Sequence, residues 1–191
     1  MPRERSENFF TELLKFILIA AAIVFPIRLF VAQPFIVSGA SMSPTFNNGQ
    51  YLIVDELSYR LQDPNRGDVI IFRYPKNPKE FFIKRIIGLP TETVSINGNT
   101  ITITKADGKT VALSEPYVTK HGNGSARSYQ LKVDEYFVMG DNRPESSDSR
   151  VWGTLPRDNI VGKAFMRLLP LNSIGFFPGS LPTVEEGTFV Q

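Results

Sequence analysis

The chain has 191 residues, a formal net charge of +2, one histidine and no cysteine. This length fits one medium domain, or a membrane anchor followed by one compact domain. The dispersed basic residues do not form the stripe that nucleic-acid binding requires, and the absence of cysteine excludes disulfides and thiolate chemistry. Because His121 lies alone in a turn-rich loop, the composition argues against a histidine-based triad or zinc site. We expect no nucleic-acid partner, no metal and no cofactor.

The most apolar stretch is residues 13–32, "LLKFILIAAAIVFPIRLFVA". Its uncharged part runs only from Phe16 to Ile27, which is short for a bilayer crossing of about 20 residues. However, Lys15 and Arg28 lie near the two ends, where long basic side chains can reach the headgroups. A cleaved secretory signal and a buried core helix are the alternatives. Because no polar segment follows the apolar run directly, we predict an uncleaved transmembrane anchor.

Basic residues are unevenly placed around this stretch. Arg3, Arg5 and Lys15 precede or open it, whereas the next basic residue after Arg28 is Arg60. Positive charge concentrates on the cytoplasmic side of a membrane segment. The sequence therefore predicts a cytoplasmic N-terminus and a body on the outer face of the membrane.

From residue 50 onward the chain consists of short runs rich in Val, Ile, Phe and Thr, bounded by turn residues, which indicate β-strands. Asn97-Gly98 and Asp107-Gly108 are typical of two-residue hairpin turns. The predicted fold class is mostly β: one N-terminal transmembrane helix, then an antiparallel β-domain with a small β-hairpin insertion. The predicted divisions are residues 1–12 (cytoplasmic N-terminus), 13–32 (anchor), 33–90 and 129–175 (main β-domain), 91–128 (insertion) and 176–191 (tail).

A serine nucleophile in this chain would need a base other than histidine, and a lysine kept neutral by burial is the known substitute. An exposed lysine, with a pKa near 10.4, is almost wholly charged at neutral pH, so burial is the criterion. In "EFFIKRIIG" the period of a strand places Phe82, Lys84 and Ile86 on one face, with further apolar residues on the other. Lys84 is therefore the candidate base, and Lys163 in "IVGKAFM" is its rival.

A third cluster, "GDNRPESSDSR" (140–150), brings the acids Asp141 and Asp148 close to two arginines, Arg143 and Arg150. The arginine at the third position from Asp141 and the missing glycine at the sixth argue against a calcium loop. The charges Asp141, Arg143, Asp148 and Arg150 predict a self-neutralising salt-bridge cluster that pins the loop. A hydroxyl from the same loop could orient a neutral lysine amine without restoring its charge.

Four motifs in order, "SGASMSPT" (38–45), "RGDVIIF" (66–72), "FIKRIIGLP" (82–90) and "GDNRPESSDSR", resemble the type I signal peptidases in content, order and spacing. With the predicted anchor, the resemblance covers roughly residues 10–170. That family consists of membrane-anchored β-fold serine proteases that use a Ser/Lys dyad to remove signal peptides on the outer side of the membrane. The main β-domain would then be the catalytic domain.

The resemblance assigns roles by motif position. It implies that Ser41 is the nucleophile and Lys84 its general base. The hydroxyl that orients the lysine falls on Ser146, followed by Asp148 and Arg150 as scaffold.

One position departs from the pattern of Gram-negative members. They place a serine that contributes to the oxyanion hole two residues before the nucleophile, where this chain has Gly39. Ser38 would lie near the oxyanion hole, with the Ser41 N–H as one donor. The single anchor and the short segment between Lys84 and Gly140 resemble the smaller members of the family.

A signal peptide would dock as an extended strand against the strand that carries Lys84, with small side chains entering shallow pockets. The resemblance implies substrate-binding roles for Phe35, Val37, Met42, Phe82 and Ile83. The alternative for these apolar positions is plain core or membrane packing.

The implied function is removal of N-terminal signal peptides from exported preproteins after small residues, through an acyl-enzyme. The implied partners are preprotein signal peptides, the lipid bilayer and the secretion translocon, at a plasma or thylakoid membrane. Two alternatives remain open. One is a self-cleaving Ser/Lys protease, which would carry a DNA-binding domain in place of the anchor; the other is an inactive anchored β-domain that binds exported peptides.

Overall fold

A computed structural model describes residues 9–30, 32–122 and 125–181. These residues form one long helix, two one-turn helices, three short 3₁₀ helices and twelve strands. The helices are α1 (Phe9–Phe30), α2 (Ser58–Leu61) and α3 (Ser149–Trp152), and the 3₁₀ helices are Arg143–Glu145, Arg157–Asn159 and Leu171–Ser173. The strands are β1 (Ala32–Ile36), β2 (Tyr51–Asp55), β3 (Val69–Tyr74), β4 (Asn77–Gly88), β5 (Thr93–Asn97), β6 (Thr100–Thr104), β7 (Thr110–Ala112), β8 (Arg127–Gln130), β9 (Glu135–Met139), β10 (Leu155–Pro156), β11 (Ile160–Leu169) and β12 (Gly175–Phe176).

The strands form two antiparallel sheets. The larger sheet has the order β1-β2-β11-β3-β4-β9-β10, with β12 added to β11, and the smaller has the order β7-β6-β5-β8. The predicted mostly β, antiparallel fold is confirmed.

The larger sheet is buried on both faces at its centre. Along β3, Ile70 and Phe72 enter one apolar cluster, whereas Val69 and Ile71 enter another. Alternate residues of a strand point to opposite faces, so the continuous apolar run "VIIF" marks a strand that is covered on both sides. The neighbouring strand β4 carries Lys84 through the same two-sided interior.

The smaller sheet contains both predicted hairpins. Gly98 and Gly108 adopt φ of 58° and 83° at the two turns, a backbone conformation that glycine adopts without strain. The predicted boundary between insertion and main domain, at residues 128 and 129, falls inside β8. The reason is that "YQLKVDEYFVM" is not one strand but contains a turn between β8 and β9.

Helix α1 exposes large apolar side chains, among them Phe10 (79% exposed) and Phe16 (70% exposed). None of the helices that the structure describes is both long enough and apolar enough to cross a membrane. The transmembrane helix predicted at 13–32 is therefore not confirmed. Most of the predicted cytoplasmic segment, including Arg3 and Arg5, lies outside the described residues.

Part of the predicted tail belongs to the body. Strand β12 pairs with β11, and the Phe177 N–H donates to the Phe165 carbonyl. The carbonyl of Gly179 accepts a hydrogen bond of 2.6 Å from the Arg85 guanidinium. Residues 176–181 therefore pack against the larger sheet, whereas 182–191 lie outside the described residues.

Candidate active site

Ser41 lies on a turn between β1 and β2. Met42 and Phe46 on this turn are buried in the core (1% and 0% exposed), and the Phe46 N–H donates to the Met42 carbonyl at 2.8 Å. Two buried apolar anchors thus fix the turn and leave Ser41 half-buried at its surface. Met42, expected to bind substrate, is placed in the core and not at the groove described below.

The Lys84 side chain reaches this turn from β4. Its Nζ lies 2.7 Å from Ser41 Oγ and donates to the Ile83 carbonyl at 2.9 Å. Only 4% of the residue is exposed. Burial lowers the pKa of Lys84 from its ordinary 10.5 to about 8, although the carboxylates of Asp148 and Asp141 act in the opposite direction. A substantial fraction of this amine is therefore neutral near pH 8.

The rival lysine has a different environment. Lys163 Nζ forms an ion pair of 2.6 Å with Asp68 Oδ1. His121 lies in an exposed loop, as expected. Lys84, rather than Lys163, therefore adjoins a serine hydroxyl.

The third predicted position, Ser146, is buried beside the Ser41 turn. Its hydroxyl donates to Asp148 Oδ2 at 2.7 Å. Arg150 binds both oxygens of Asp148, each at 2.8 Å, and the Gly140 N–H donates to Asp148 at 3.1 Å. Within the described part of the chain, Lys84 Nζ contacts Ser41 and the Ile83 carbonyl and makes no direct hydrogen bond to Ser146.

The predicted self-neutralising charge cluster is only half correct. Asp148 and Arg150 pair with each other, but Asp141 binds Arg85 and Arg143 binds Glu115. Both outside partners are remote in sequence, so the loop's own pattern could not reveal them.

Sequence reasoning missed the role of Arg85. Its guanidinium is fully buried, binds the Asp141 carboxylate at 2.7 and 2.9 Å, and lies 4.0 Å from the Tyr117 ring centroid. A buried charge must be paired to be tolerated, and this one is. The sequence did contain an indication that Arg85 is buried: it follows Lys84 directly, and strand alternation directs it toward the other apolar face of β4.

Two further residues of the loop hold the Ser41 backbone. The Asn142 N–H donates to the Ser41 carbonyl at 3.0 Å, and the Asn142 side-chain amide donates to the Ala40 carbonyl at 3.1 Å. A Cβ on Gly140 would overlap both Ser146 Oγ and the Ser41 carbonyl oxygen. The only indication of this in the sequence was that Gly140 and Asn142 both belong to the "GDN" of the third motif.

A groove of about 420 Å³ runs from the dyad between β1 and β4. It is lined by the predicted residues Phe35, Val37, Ser38, Gly39, Phe82 and Ile83, and also by Ile36, Ala40, Leu52, Ile71, Glu80, Phe81, Glu145 and Ser147. Gly39 has φ of +92°, and its N–H donates to Asn48 at 2.9 Å.

Residues 10–169 match the family described as signal peptidase, peptidase S26. The chain is 36% identical to signal peptidase I of Leptolyngbya laminosa over 178 residues, covering 90% of this chain and 85% of that protein. It is 34% identical to signal peptidase I T of Bacillus subtilis over 182 residues, covering 90% and 91%. A crystal structure of a signal peptidase I from Enterococcus faecalis is 33% identical and covers 53% of this chain and 97% of its own, with a TM-score of 0.46.

The family match and these relatives make the chain a serine hydrolase. The chain belongs to the peptidase S26 family of signal peptidases. Signal peptidases act on the signal peptides of preproteins.

Proposed function

We propose that this chain cleaves exported preproteins after small residues by a Ser/Lys dyad, with Ser41 as nucleophile and Lys84 as general base. One observation carries the proposal: a lysine that is 4% exposed has its Nζ 2.7 Å from a serine hydroxyl. That distance suits direct proton transfer between the two groups.

In the proposed mechanism, neutral Lys84 takes the Ser41 proton as Oγ attacks the scissile carbonyl. The resulting ammonium then gives this proton to the leaving amine, which produces an acyl-enzyme. Lys84, neutral again, takes a proton from the water that attacks the ester, and returns it to Ser41 Oγ as the acyl–oxygen bond breaks and the acid product leaves. The same amine therefore serves both half-reactions.

The oxyanion would be held by the Ser41 N–H, which donates to no acceptor among the described residues. The second donor is a backbone N–H or an ordered water beside Gly39, which offers no hydroxyl. Ser38 is exposed at the groove and is the competing candidate.

Ser146, Asp148 and Arg150 would position the lysine. The Ser146 hydroxyl donates a hydrogen bond to Asp148, so its oxygen can still accept a hydrogen bond from the Lys84 amine. Arg150 balances the Asp148 charge at the same time. An uncharged acceptor would orient the amine without favouring the ammonium form.

The signal peptide would lie extended in the groove against β1 and β4, as a peptide added to a sheet does. Phe35, Val37, Phe82 and Ile83 would bound its shallow pockets and limit the residues near the scissile bond to small ones.

We also propose that α1 anchors the chain in a plasma or thylakoid membrane by a single pass, with the N-terminus cytoplasmic and the catalytic domain on the outer face. The exposed apolar side chains of α1 and the uneven basic residues around it support this arrangement. Lipid bilayer and secretion translocon would then be its partners.

The test is cleavage of a preprotein by the full chain in detergent. We expect a mature product that begins just after a small residue, and a covalent acyl adduct on the peptide that contains Ser41. A Ser41→Ala chain gives the matched blank. Absence of product would favour the peptide-binding alternative, and cleavage confined to the chain itself would favour the self-cleaving one.

A further inference from the structure

Asn142 is a buried residue beside the candidate dyad that the mechanism above does not use. Only 3% of it is exposed. Its backbone N–H donates to the Ser41 carbonyl at 3.0 Å, and its side-chain Nδ2 donates to the Ala40 carbonyl at 3.1 Å. One residue therefore holds the peptide units on both sides of Ser41.

The side-chain hydrogen bond bears on the proposed oxyanion donor. The Ala40 carbonyl and the Ser41 N–H belong to the same planar peptide unit and point in opposite directions. A donor that fixes this carbonyl therefore also fixes the direction of the N–H. A carbonyl that accepts a hydrogen bond also polarises its peptide unit, which makes the N–H a stronger donor.

The chain just before Ser41 has little to restrain it locally. Gly39 has φ of +92° and open space where a Cβ would stand, and glycine has the widest backbone freedom of any residue. The Ala40 carbonyl accepts one bond from within the turn, from the Ser43 N–H at 3.1 Å. Among the described contacts, Asn142 Nδ2 is the donor that reaches this carbonyl from outside the turn.

Hydrogen bonding elsewhere does not explain an asparagine at this position. Asn142 Oδ1 is buried and has no hydrogen-bond partner among the described residues. An unpaired buried oxygen is costly, and an apolar side chain of similar size would avoid that cost. In the described part of the chain, the contact of Nδ2 with Ala40 is thus what the asparagine side chain provides and a leucine could not.

We propose that Asn142 is a positioning residue for the oxyanion site. Its side-chain amide holds and polarises the Ala40–Ser41 peptide unit, so that the Ser41 N–H points at the oxygen of the tetrahedral intermediate. Asn142 acts through this peptide unit and not by contact with the substrate. The proposal rests on the dyad mechanism proposed above.

The experiment measures kcat and KM for preprotein cleavage by the full chain in detergent. The test variant is Asn142→Ala, and Asn142→Leu, which keeps the side-chain volume, serves if the alanine variant does not fold. The control is Asn159→Ala, because Asn159 Nδ2 also donates to a backbone carbonyl, that of Arg73 at 3.0 Å, away from the dyad. Thermal unfolding of each variant verifies that it is folded at the assay temperature.

We expect Asn142→Ala to lower kcat by about 10- to 10²-fold, less than outright removal of an oxyanion donor, and to change KM by less than about twofold. The rising limb of the pH profile should stay at about 8, because Lys84 is not altered. A kcat equal to that of the control, a loss that lies in KM, or a displaced pH limb would overturn the proposal.

Binding of a peptide aldehyde tests the oxyanion site directly. Ser41 Oγ bonds to the aldehyde carbon, the Ser41 proton passes to Lys84, and the former carbonyl oxygen takes the negative charge at the oxyanion site. Asn142→Ala should weaken aldehyde binding by about tenfold or more and leave binding of the matched peptide alcohol, which cannot form this bond, unchanged. Equal weakening of both ligands would contradict the role.

Failure of the dyad mechanism would look different. A wild-type chain that neither cleaves the preprotein nor binds the aldehyde more tightly than the alcohol would overturn that mechanism, and this proposal with it. A wild-type chain that cleaves, together with an Asn142→Ala chain that behaves like Asn159→Ala, would overturn only the role of Asn142.

Discussion

Arg85 and Asp141 form a fully buried, bidentate ion pair behind the candidate dyad. Arg85 directly follows Lys84 on β4, and Asp141 directly precedes Asn142, which binds the Ser41 carbonyl. Asp141 also accepts a hydrogen bond of 2.5 Å from Thr45, on the Ser41 turn. One buried pair thus fixes the strand of the proposed base relative to the turn of the proposed nucleophile.

Replacing either member of the dyad should abolish cleavage. Ser41→Ala removes the attacking oxygen and Lys84→Met removes the base, and because the two act as a unit each loss should be about 10⁴-fold or more in kcat. His121→Ala is the control and should leave the rate unchanged. Single-turnover cleavage of a preprotein measures all three. Robust activity without Lys84, or a large loss at His121, would refute the dyad.

The pH profile of kcat/KM should rise through an apparent pKa of about 8, the value to which burial lowers the pKa of Lys84. The neutral amine is the active form, so below that pH the rate should fall tenfold per unit. Lys132→Gln, which changes an exposed lysine, should keep the same limb. A limb that appears only near the pKa of free lysine would mean that the proposed base is solvated.

Lys84→Met should stabilise the fold at neutral pH. Folding lowers the pKa of Lys84 from 10.5 to about 8. This shift costs the wild type about 3 kcal/mol below pH 8, where both folded and unfolded states are protonated. The cost declines between pH 8 and 10.5, because only the unfolded state then binds the proton. Denaturant unfolding of both proteins across this range should show the variant's advantage shrink as pH rises, and a constant difference would contradict the assignment.

Gly140→Ala should damage both the fold and the reaction. The added Cβ would overlap the buried Ser146 hydroxyl and the Ser41 carbonyl, so we expect a loss of about 1–3 kcal/mol in unfolding free energy. The displaced nucleophile should slow cleavage by about 10²-fold. Gly175→Ala is a matched control, since its Cβ would meet nothing within 4 Å. Equal unfolding free energies and equal cleavage rates in the two variants would contradict the prediction, because they would show that a Cβ at position 140 does not disturb Ser41.

Ser38→Ala should reduce kcat by less than about tenfold, well short of the 10²–10³-fold that follows removal of an oxyanion donor. Ser38 lies three residues before Ser41, and its side chain does not replace one at position 39. Single-turnover rates provide the measurement. A collapse of the rate with unchanged substrate binding would identify Ser38 as the donor.

The backbone conformation of Gly39 limits the opposite experiment, in which a hydroxyl is added at position 39 instead of being removed from Ser38. A serine at position 39 would be tolerated easily only with a negative φ, whereas φ is +92°. Gly39→Ser therefore introduces strain of about 1 kcal/mol or more, although the space around it is open. Gly39→Ala carries the same strain without a hydroxyl. Faster cleavage by the serine variant than by the alanine variant would isolate the hydroxyl's contribution.

The sequence predicted those features that depend on strand alternation or on a two-residue turn. Strand alternation predicted Lys84 in an apolar interior, with Lys163 left as its rival, and the Asn-Gly and Asp-Gly pairs located both hairpins. These features depend on residues that are neighbours in the chain, so a single sequence contains them.

Ion pairs between residues that are far apart in the chain could not be predicted from the sequence. Arg85 and Asp141 are 56 residues apart, and Arg143 and Glu115 are 28 apart, so no local pattern pairs them. The position of Met42 also depends on packing: its neighbour Ser41 faces the site, while Met42 fills the core. Residues 176–181 carry no strong strand pattern, and their place is set by contacts with β11 and Arg85.

The hydrogen bond from Arg85 to the Gly179 carbonyl spans 94 residues. Because ribosomes build the chain from its N-terminus, Ser41, Lys84 and the 140–150 loop are all made before this acceptor exists. A nascent chain shorter than 179 residues leaves one guanidinium N–H at the centre of the molecule without its native acceptor. Completion of the buried interior around Arg85 is therefore coupled to the order of synthesis, because β12 and Gly179 are made after every other element of both sheets.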